Sequence, residues 1–471
     1  MKSSNKTAAL RLDYNNMMSA SIGAEGFTPD ELKGAYPLAK QAFSKVEQGR
    51  GKGMMGWTEL PYNQPEIVAD IDALAASVRK NCDAFVVLGI GGSALGPMAA
   101  FQAIKHLRYN ELPRKKRGGP KFYVEDNIDP ERMEALFDVV DLKKTVFNVI
   151  TKSGATSETM AQYLTVIDRL KKKLGKRAAS RIIATTDAEK GNLIKIAHAE
   201  GYKTYVIPSG VGGRFSQLCP VGLLPAAVLG INIQKLLDGA AFMDKLCKEP
   251  DASKNPALMA ALLSYLSIKK GKNISVMMPY ADSLKLMADW YCQLWGESLG
   301  KSADSSGKLV YTGQTPVKAL GVTDQHSQVQ LYTEGPFDKV VTFLGVSSYR
   351  ASMEISRGHE DVPDVSFLGG HTFNELIAAE QAATEYALTK AGRLNCTITL
   401  PVVNEFTLGQ LFYFFQLQTA YTGEMLGINT YDQPGVEEGK NATYALLGRA
   451  GYDEKREELS SAPQKSEEYI I

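Results

Sequence analysis

The sequence has no excess of charge of either sign, no cysteine pair at metal or redox spacing, and no apolar run of membrane length. Its 53 Lys and Arg stand against 52 Asp and Glu. No overall field draws such a chain to nucleic acid or to an anionic membrane, so any anion must be bound locally. The longest apolar stretch, PVGLLPAAVLGI, is interrupted by Pro225 and falls short of the roughly 20 residues a spanning helix needs; it predicts a buried helix instead. Cys82, Cys219, Cys247, Cys292 and Cys396 are odd in number and widely scattered, which fits a reducing compartment better than a disulfide framework or a zinc site. The five histidines are equally dispersed and spell no metal motif. The start MKSSNKTAALRLDYNN lacks the continuous apolar core of a secretory signal, so a cytoplasmic protein is expected.

What the chain has in quantity is alternation. DAFVVLGI, KFYVED, TVFNVI, RIIATT and KTYVIP read as strands separated by helical patterns, and a second series follows at NISVMMPY, KVVTFLGV and NCTITLPV. Strands alternating with helices predict an α/β fold with mainly parallel sheets covered on both faces. We expect an N-terminal arm at 1–54, a first α/β domain at 55–217, a helical connection at 218–270, a second α/β domain at 271–430 and a helical C-terminal segment at 431–471. The basic run LPRKKRGGPK reads as a solvated loop because of its Pro and Gly content.

Two loops at strand ends carry the chemistry. VVLGIGGSALGP places Gly89, Gly91 and Gly92 between a strand and a helix, where glycine lets backbone amides approach an anion and the helix start adds unpaired N–H groups. Gly89, Gly91 and Ala94 also satisfy the G-x-G-x-x-G/A dinucleotide fingerprint, with Glu125 as the candidate ribose acid, but Glu125 lies well beyond the customary spacing of about twenty residues. VITKSGATSET, after another strand, offers Thr151, Ser153, Thr156, Ser157 and Thr159 around Lys152. Hydroxyls and amides satisfy phosphate oxygens with little added positive charge, so together with Ser93 they point to a phosphomonoester site. The competing reading is a helix cap at Thr156 or Ser157, for which one hydroxyl is enough.

In SLKLMADWYCQLWGESLGK, the residues Leu286, Trp290, Leu294 and Glu297 fall on one helical stripe. Glu297 is therefore expected on an apolar face, where burial favours protonation of a carboxyl group and suits a proton carrier. Gln293 lies one turn earlier, within reach of it. Arg214, in SGVGGRFS after a strand, could stabilise an oxyanion. His326 in TDQHSQ and Lys440 in YDQPGVEEGK lie in polar, turn-rich segments and would be unremarkable alone.

Taken in order, GIGGSALGP, TKSGATSET, VGGRFS, LWGESLGK, TDQHSQVQLY and YDQPGVEEGK make the chain resemble the glucose-6-phosphate isomerase (phosphoglucose isomerase) family from about residue 50 to 450, in its compact bacterial form. The resemblance implies two three-layer α/β/α domains of the sugar-isomerase (SIS) type with helical arms, and a cofactor-independent, metal-free interconversion of D-glucose 6-phosphate and D-fructose 6-phosphate. It implies Glu297 as the base moving a proton between C1 and C2 through a cis-enediol. It likewise implies His326 and Lys440 in ring opening, Arg214 near the enediolate and Gln433 on the sugar. Ser93, Thr151, Ser153 and Thr156 would cradle the phosphate, with Gly92, Lys152 and Gln293 as further substrate contacts and Glu158 as a nearby polar contributor. A homodimer sharing His326 across subunits is also implied, with no nucleic acid or membrane partner. Thr151 and Ser153 stand where other members show serine and threonine in the reverse order; both hydroxyls survive. Isomerisation of another phosphosugar, such as mannose 6-phosphate, and a non-catalytic sugar-phosphate sensor remain the alternatives.

Overall fold

Runs such as AFVVL and TVFNVI carry no polar alternation, and strands of that kind must be covered on both faces. A computed structural model describes residues 9–471; residues 1–8 of the expected N-terminal arm lie outside the described residues. In chain order the strands are β1 (Arg11–Asp13), β2 (Ala84–Leu88), β3 (Lys121–Glu125), β4 (Thr145–Ile150), β5 (Ile182–Thr186), β6 (Lys203–Val206), β7 (Ile274–Pro279), β8 (Lys301–Ala303), β9 (Leu309–Thr312), β10 (Thr315–Lys318), β11 (Lys339–Ser348) and β12 (Asn395–Val402).

The first sheet has the order β3-β2-β4-β5-β6, parallel throughout. Every residue of β2, β4 and β5 is buried. Val86, Leu88, Phe147, Val149 and Ala184 pack on one face with Leu136, Tyr163, Val166, Leu170 and Leu193 from the covering helices. On the other face Phe122 stacks on Phe85 and meets Phe101 of the helix Leu95–Ile104 at 4.9 Å between ring centroids. The chain leaves β2 toward β3 on one side and returns with β4 on the other. The loops after β2 and β4 therefore flank the point where the strand order reverses, which is where open α/β sheets bind ligands.

The second sheet runs β1-β12-β11-β7-β10, and only β1 is antiparallel, pairing Leu12 with Ile398. The helical arm thus supplies an edge strand that its three residues did not announce. The short hairpin β8–β9 and strand β10 are likewise additions to the predicted elements. Between the sheets' helical layers lies Glu405–Leu426, buried almost along its whole length, as expected of a helix that is apolar all round. The stretch with Pro225 forms the fully buried helix Pro220–Val228. Contacts divide the chain into one unit ending at Thr430 and a second, Tyr431–Ile471. Within the second, the helices Glu437–Leu446 and Asp453–Ser461 are joined by an edge-on pair of Tyr444 and Tyr452.

The basic run corrects its reading as a solvated loop. Residues Arg114–Arg117 form a helical turn. Arg114 donates to the carbonyls of Arg79 (2.7 Å) and Cys82 (2.6 Å) at the end of the helix Pro65–Asn81, and Arg117 is buried, donating to the carbonyls of Leu112 and Gly119. Arg114 thus caps carbonyls that the helix end leaves unpaired, while Arg117 braces the loop on either side of its own turn. Arg114→Ala should lower the unfolding free energy by about 1–2 kcal/mol, measured by urea denaturation; an unchanged midpoint would show that the guanidinium braces nothing.

Candidate active site

At the carboxyl edge of the first sheet, a cavity of about 510 Å³ opens among Gly92 and Ser93 after β2, Thr151, Ser153, Thr156 and Thr159 after β4, Asp187 and Lys190 after β5, and Gly213 after β6. Two helices start at its rim, Leu95–Ile104 and Ser157–Leu174, and neither has a side-chain cap. Other starts, after Asp129, Asn232, Asn255, Thr372 and Asn404, are capped by those side chains, while several more, such as Pro65–Asn81 and Asn192–Glu200, are not. Unpaired N–H groups at a helix start attract an anion, and here both starts face the same space.

The capping reading of the second loop fails at Thr156, whose hydroxyl turns away from the helix and shares a 3.0 Å hydrogen bond with Thr151 Oγ1. Thr151, 3% exposed, also accepts from the Gly154 amide, while Ser153 Oγ accepts from the Ala155 amide. The loop is thus wound so that its hydroxyls converge. Thr159 Oγ1, one turn on, is buried without a hydrogen-bond partner among the described residues; its hydroxyl stands three residues after Thr156, the spacing that could have assigned it to the cradle. Glu158 occupies the first turn of the same helix. The Lys152 ammonium instead donates to three carbonyls, Pro208 (3.3 Å), Ser209 (2.7 Å) and Val211 (3.0 Å). Burial makes it give up its proton more readily than a free lysine, with Asp187 opposing.

The first loop closes against its neighbours through glycine. Gly91 has φ +56° and a Cβ there would lie 2.8 Å from Gln293 Nε2, while a Cβ on Gly92 would fall 2.2 Å from the Gly213 backbone. Only bare backbone fits at either position, and the loop is thereby pressed against both the helix Lys285–Leu299 and the turn that carries Arg214.

Arg214 is 3% exposed at its side chain. Its Nη1 meets Glu297 Oε2 at 3.2 Å, Nε donates to Ser298 Oγ at 2.7 Å and Nη2 donates to the Thr430 carbonyl at 2.7 Å. Gln293 Nε2 donates to the other Glu297 oxygen at 3.0 Å, and Gln293 Oε1 is buried without a partner. This corrects the expected apolar setting of Glu297. Trp290 and Leu294 of the stripe are buried, but Glu297 sits in the last turn with its side chain 34% exposed and its oxygens directed at a guanidinium and an amide. The helical stripe correctly gave the side from which Glu297 projects, yet could not show what loop lay opposite. Ser298, the residue next to Glu297, was missed because a lone serine beside a carboxylate carries no pattern.

Within the unit ending at Thr430, His326 is not brought into this cluster. His326, at the end of the turn Thr323–His326, is exposed, and its ring has no hydrogen-bond partner among the described residues. In the second unit, Gln433 precedes the turn Pro434–Val436 and Lys440 is ion-paired with Glu437 at 2.8 Å. The dinucleotide reading loses its acid, since Glu125 is buried and paired with Arg132 at 2.8 Å. Among the described residues no helix is long and apolar enough to cross a membrane.

Comparison with known proteins agrees over nearly the whole chain. Residues 71–462 match the family model described as phosphoglucose isomerase. A glucose-6-phosphate isomerase of Carboxydothermus hydrogenoformans is 55% identical over 96% of this chain and 97% of that protein. One from Rubrobacter xylanophilus is 42% identical over 94% and 99%. The crystal structure of a hypothetical protein from Thermus thermophilus superposes with a TM-score of 0.84 at 36% identity, over 93% of this chain and all of that one. The glucose-6-phosphate isomerase of Chlamydia trachomatis, at 21% identity and a TM-score of 0.80 over 94% and 89%, shares the fold. With two loops, a buried arginine and a carboxylate gathered at one sheet edge, and with relatives of this closeness, the chain belongs to the phosphoglucose isomerase family.

Proposed function

We propose that this chain interconverts D-glucose 6-phosphate and D-fructose 6-phosphate in the cytoplasm, as a step of glycolysis and gluconeogenesis, without a cofactor. The observation that carries the reading is the adjacency of the hydroxyl-lined cavity to the Arg214–Glu297 pair, joined by the Gly91–Gly92 loop that touches both. Ser93, Thr151, Ser153 and Thr156 hold the phosphate together with the two uncapped helix starts and the backbone at Gly92. Thr159 adds a fifth hydroxyl. The phosphate, remote from the reacting carbons, supplies binding energy that fixes the sugar for reaction.

Glu297 takes a proton from C2 of the opened aldose and returns it to C1 on the same face, while the hydroxyl proton on O2 passes to O1, leaving the C2 carbonyl of the ketose. Negative charge developing on the enediolate oxygen lies beside the Arg214 guanidinium, which Ser298 and Thr430 hold in place so that little reorganisation is needed. Gln293 orients the carboxylate by donating from Nε2 to one of its oxygens. Lys440 and His326 assist ring opening, and Gln433 contacts the sugar. His326 acts on the site of a partner subunit in a homodimer; its exposure and unpaired ring support that assignment. Other aldose phosphates that share the phosphate would bind the same cradle, so turnover of mannose 6-phosphate is the comparison that sets specificity.

In an assay coupled to glucose 6-phosphate oxidation, the protein should turn over fructose 6-phosphate, whereas Glu297→Gln should bind the sugar phosphate and lose exchange of the C2 proton with solvent. Exchange at the wild-type rate in that variant would remove Glu297 from the reaction. Replacing Thr151 and Ser153 by Ala should weaken phosphorylated ligands far more than free sugars; equal weakening of both would reject the cradle. Mixing Glu297→Gln and His326→Ala subunits should restore about a quarter of wild-type activity, because random dimers then contain one intact site in half of the molecules. No recovery on mixing would place His326 in its own subunit's site or outside the reaction.

A further inference from the structure

Lys152 lies in the middle of the hydroxyl loop, where a cation would ordinarily be read as a ligand for the phosphate. Its geometry says otherwise. An ammonium has three N–H donors, and three carbonyl oxygens, those of Pro208, Ser209 and Val211, stand within hydrogen-bond reach. The main chain at Lys152 is itself fixed from the other side, since its carbonyl accepts from Thr186 Oγ1 at 3.2 Å and from the Asp187 amide at 3.4 Å. The gripped segment ends three residues before Arg214. Within it, the Val211 amide donates to the Pro208 carbonyl, and the Gly56 amide donates to Gly210 at 3.0 Å. The turn that follows is hydrogen-bonded from the Phe215 amide to Gly212, and Gly213 rests against Gly92.

We infer that Lys152 is a positioning residue, which rests on the isomerase reading above: it ties the hydroxyl loop to the 208–214 segment and so sets where the Arg214 guanidinium stands against Glu297. Thr151 and Ser153, immediately beside it, are the loop's hydroxyls for the phosphate, so the same short stretch of backbone that receives the phosphate also grips the segment carrying the arginine. An anion that fixes the loop thereby fixes the oxyanion partner. The burial that loosens the Lys152 proton accords with an ammonium committed to carbonyls rather than to solvent. Removing it takes the ammonium from all three carbonyls, of which Pro208 keeps the Val211 amide, and unties the segment from the hydroxyl loop.

Lys152→Met, which keeps an apolar stem and removes the ammonium, separates this role from direct phosphate binding. Inorganic phosphate affinity is measured by calorimetry, turnover of fructose 6-phosphate by the coupled assay, and the fold by thermal melting. A positioning role predicts that kcat falls about 100-fold, the loss that a misplacement near 1 Å produces, while the Kd for inorganic phosphate changes by no more than about twofold. A Kd weakened by tenfold or more with kcat retained would make Lys152 a phosphate ligand and overturn the inference, as would a variant unchanged in both. Should Lys152→Met not fold, Lys152→Arg gives the same comparison, because a planar fork cannot satisfy three convergent carbonyls as an ammonium does. Wild-type protein without turnover would contradict the isomerase reading and this inference together; active wild type with an unaffected variant contradicts the inference alone.

Discussion

The contact between Arg214 and Glu297 is the constraint on which the site depends. A guanidinium 3% exposed must be paired and hydrogen-bonded, and Arg214 draws its partners from distant parts of the chain: a carboxylate and a hydroxyl at the end of the helix Lys285–Leu299, and a carbonyl at Thr430. The arginine comes from the loop after the last strand of the first sheet, and its partners from the half of the chain that builds the second. Removing Glu297 would leave a buried guanidinium short of its carboxylate, which is the costly way to break such a pair. The penalty ties the loop after β6 to the end of the helix Lys285–Leu299. Stability and the proposed chemistry therefore draw on the same few atoms.

The cradle follows from a different requirement. A phosphate dianion has oxygens enough to use several donors at once, and a site that matched it with full positive charges would bind without releasing. Two uncapped helix starts and a ring of hydroxyls supply many weak donors at little net charge. That Thr156 sits at a cap position and yet bonds Thr151 is the local geometry on which the proposed cradle rests. Lys152 adds charge to the loop but spends its donors on carbonyls. The cavity consequently keeps a hydroxyl character even with an ammonium in the middle of its sequence.

Much of this was legible before any coordinates. Apolar runs of five or six residues without alternation imply two covered faces, and β2, β4 and β5 are buried throughout. The glycines after β2 and the hydroxyls after β4 marked both loops, and the spacing from Gln293 to Glu297 gave a contact that the helix realises. What stayed hidden depends on partners far away in sequence. Three residues cannot announce β1, whose pairing strand lies at the other end of the chain. Glu297 looked apolar because its own helix is apolar there, while the guanidinium that faces it comes from residue 214. The lysine in the hydroxyl loop and the arginines of the basic run share one cause: a long cation finds backbone carbonyls when a neighbouring segment ends beside it, and no local pattern encodes that neighbour.

The central claim is spatial, that one edge of the first sheet holds the phosphate while a single carboxylate faces the two carbons that exchange hydrogen. A crystal structure of the protein with fructose 6-phosphate bound tests it directly. The account predicts phosphate oxygens among Ser93, Thr151, Ser153 and Thr156, with C1 and C2 roughly 3–3.5 Å from the Glu297 carboxylate. Sugar carbons remote from Glu297, or a phosphate seated away from the two helix starts, would contradict it.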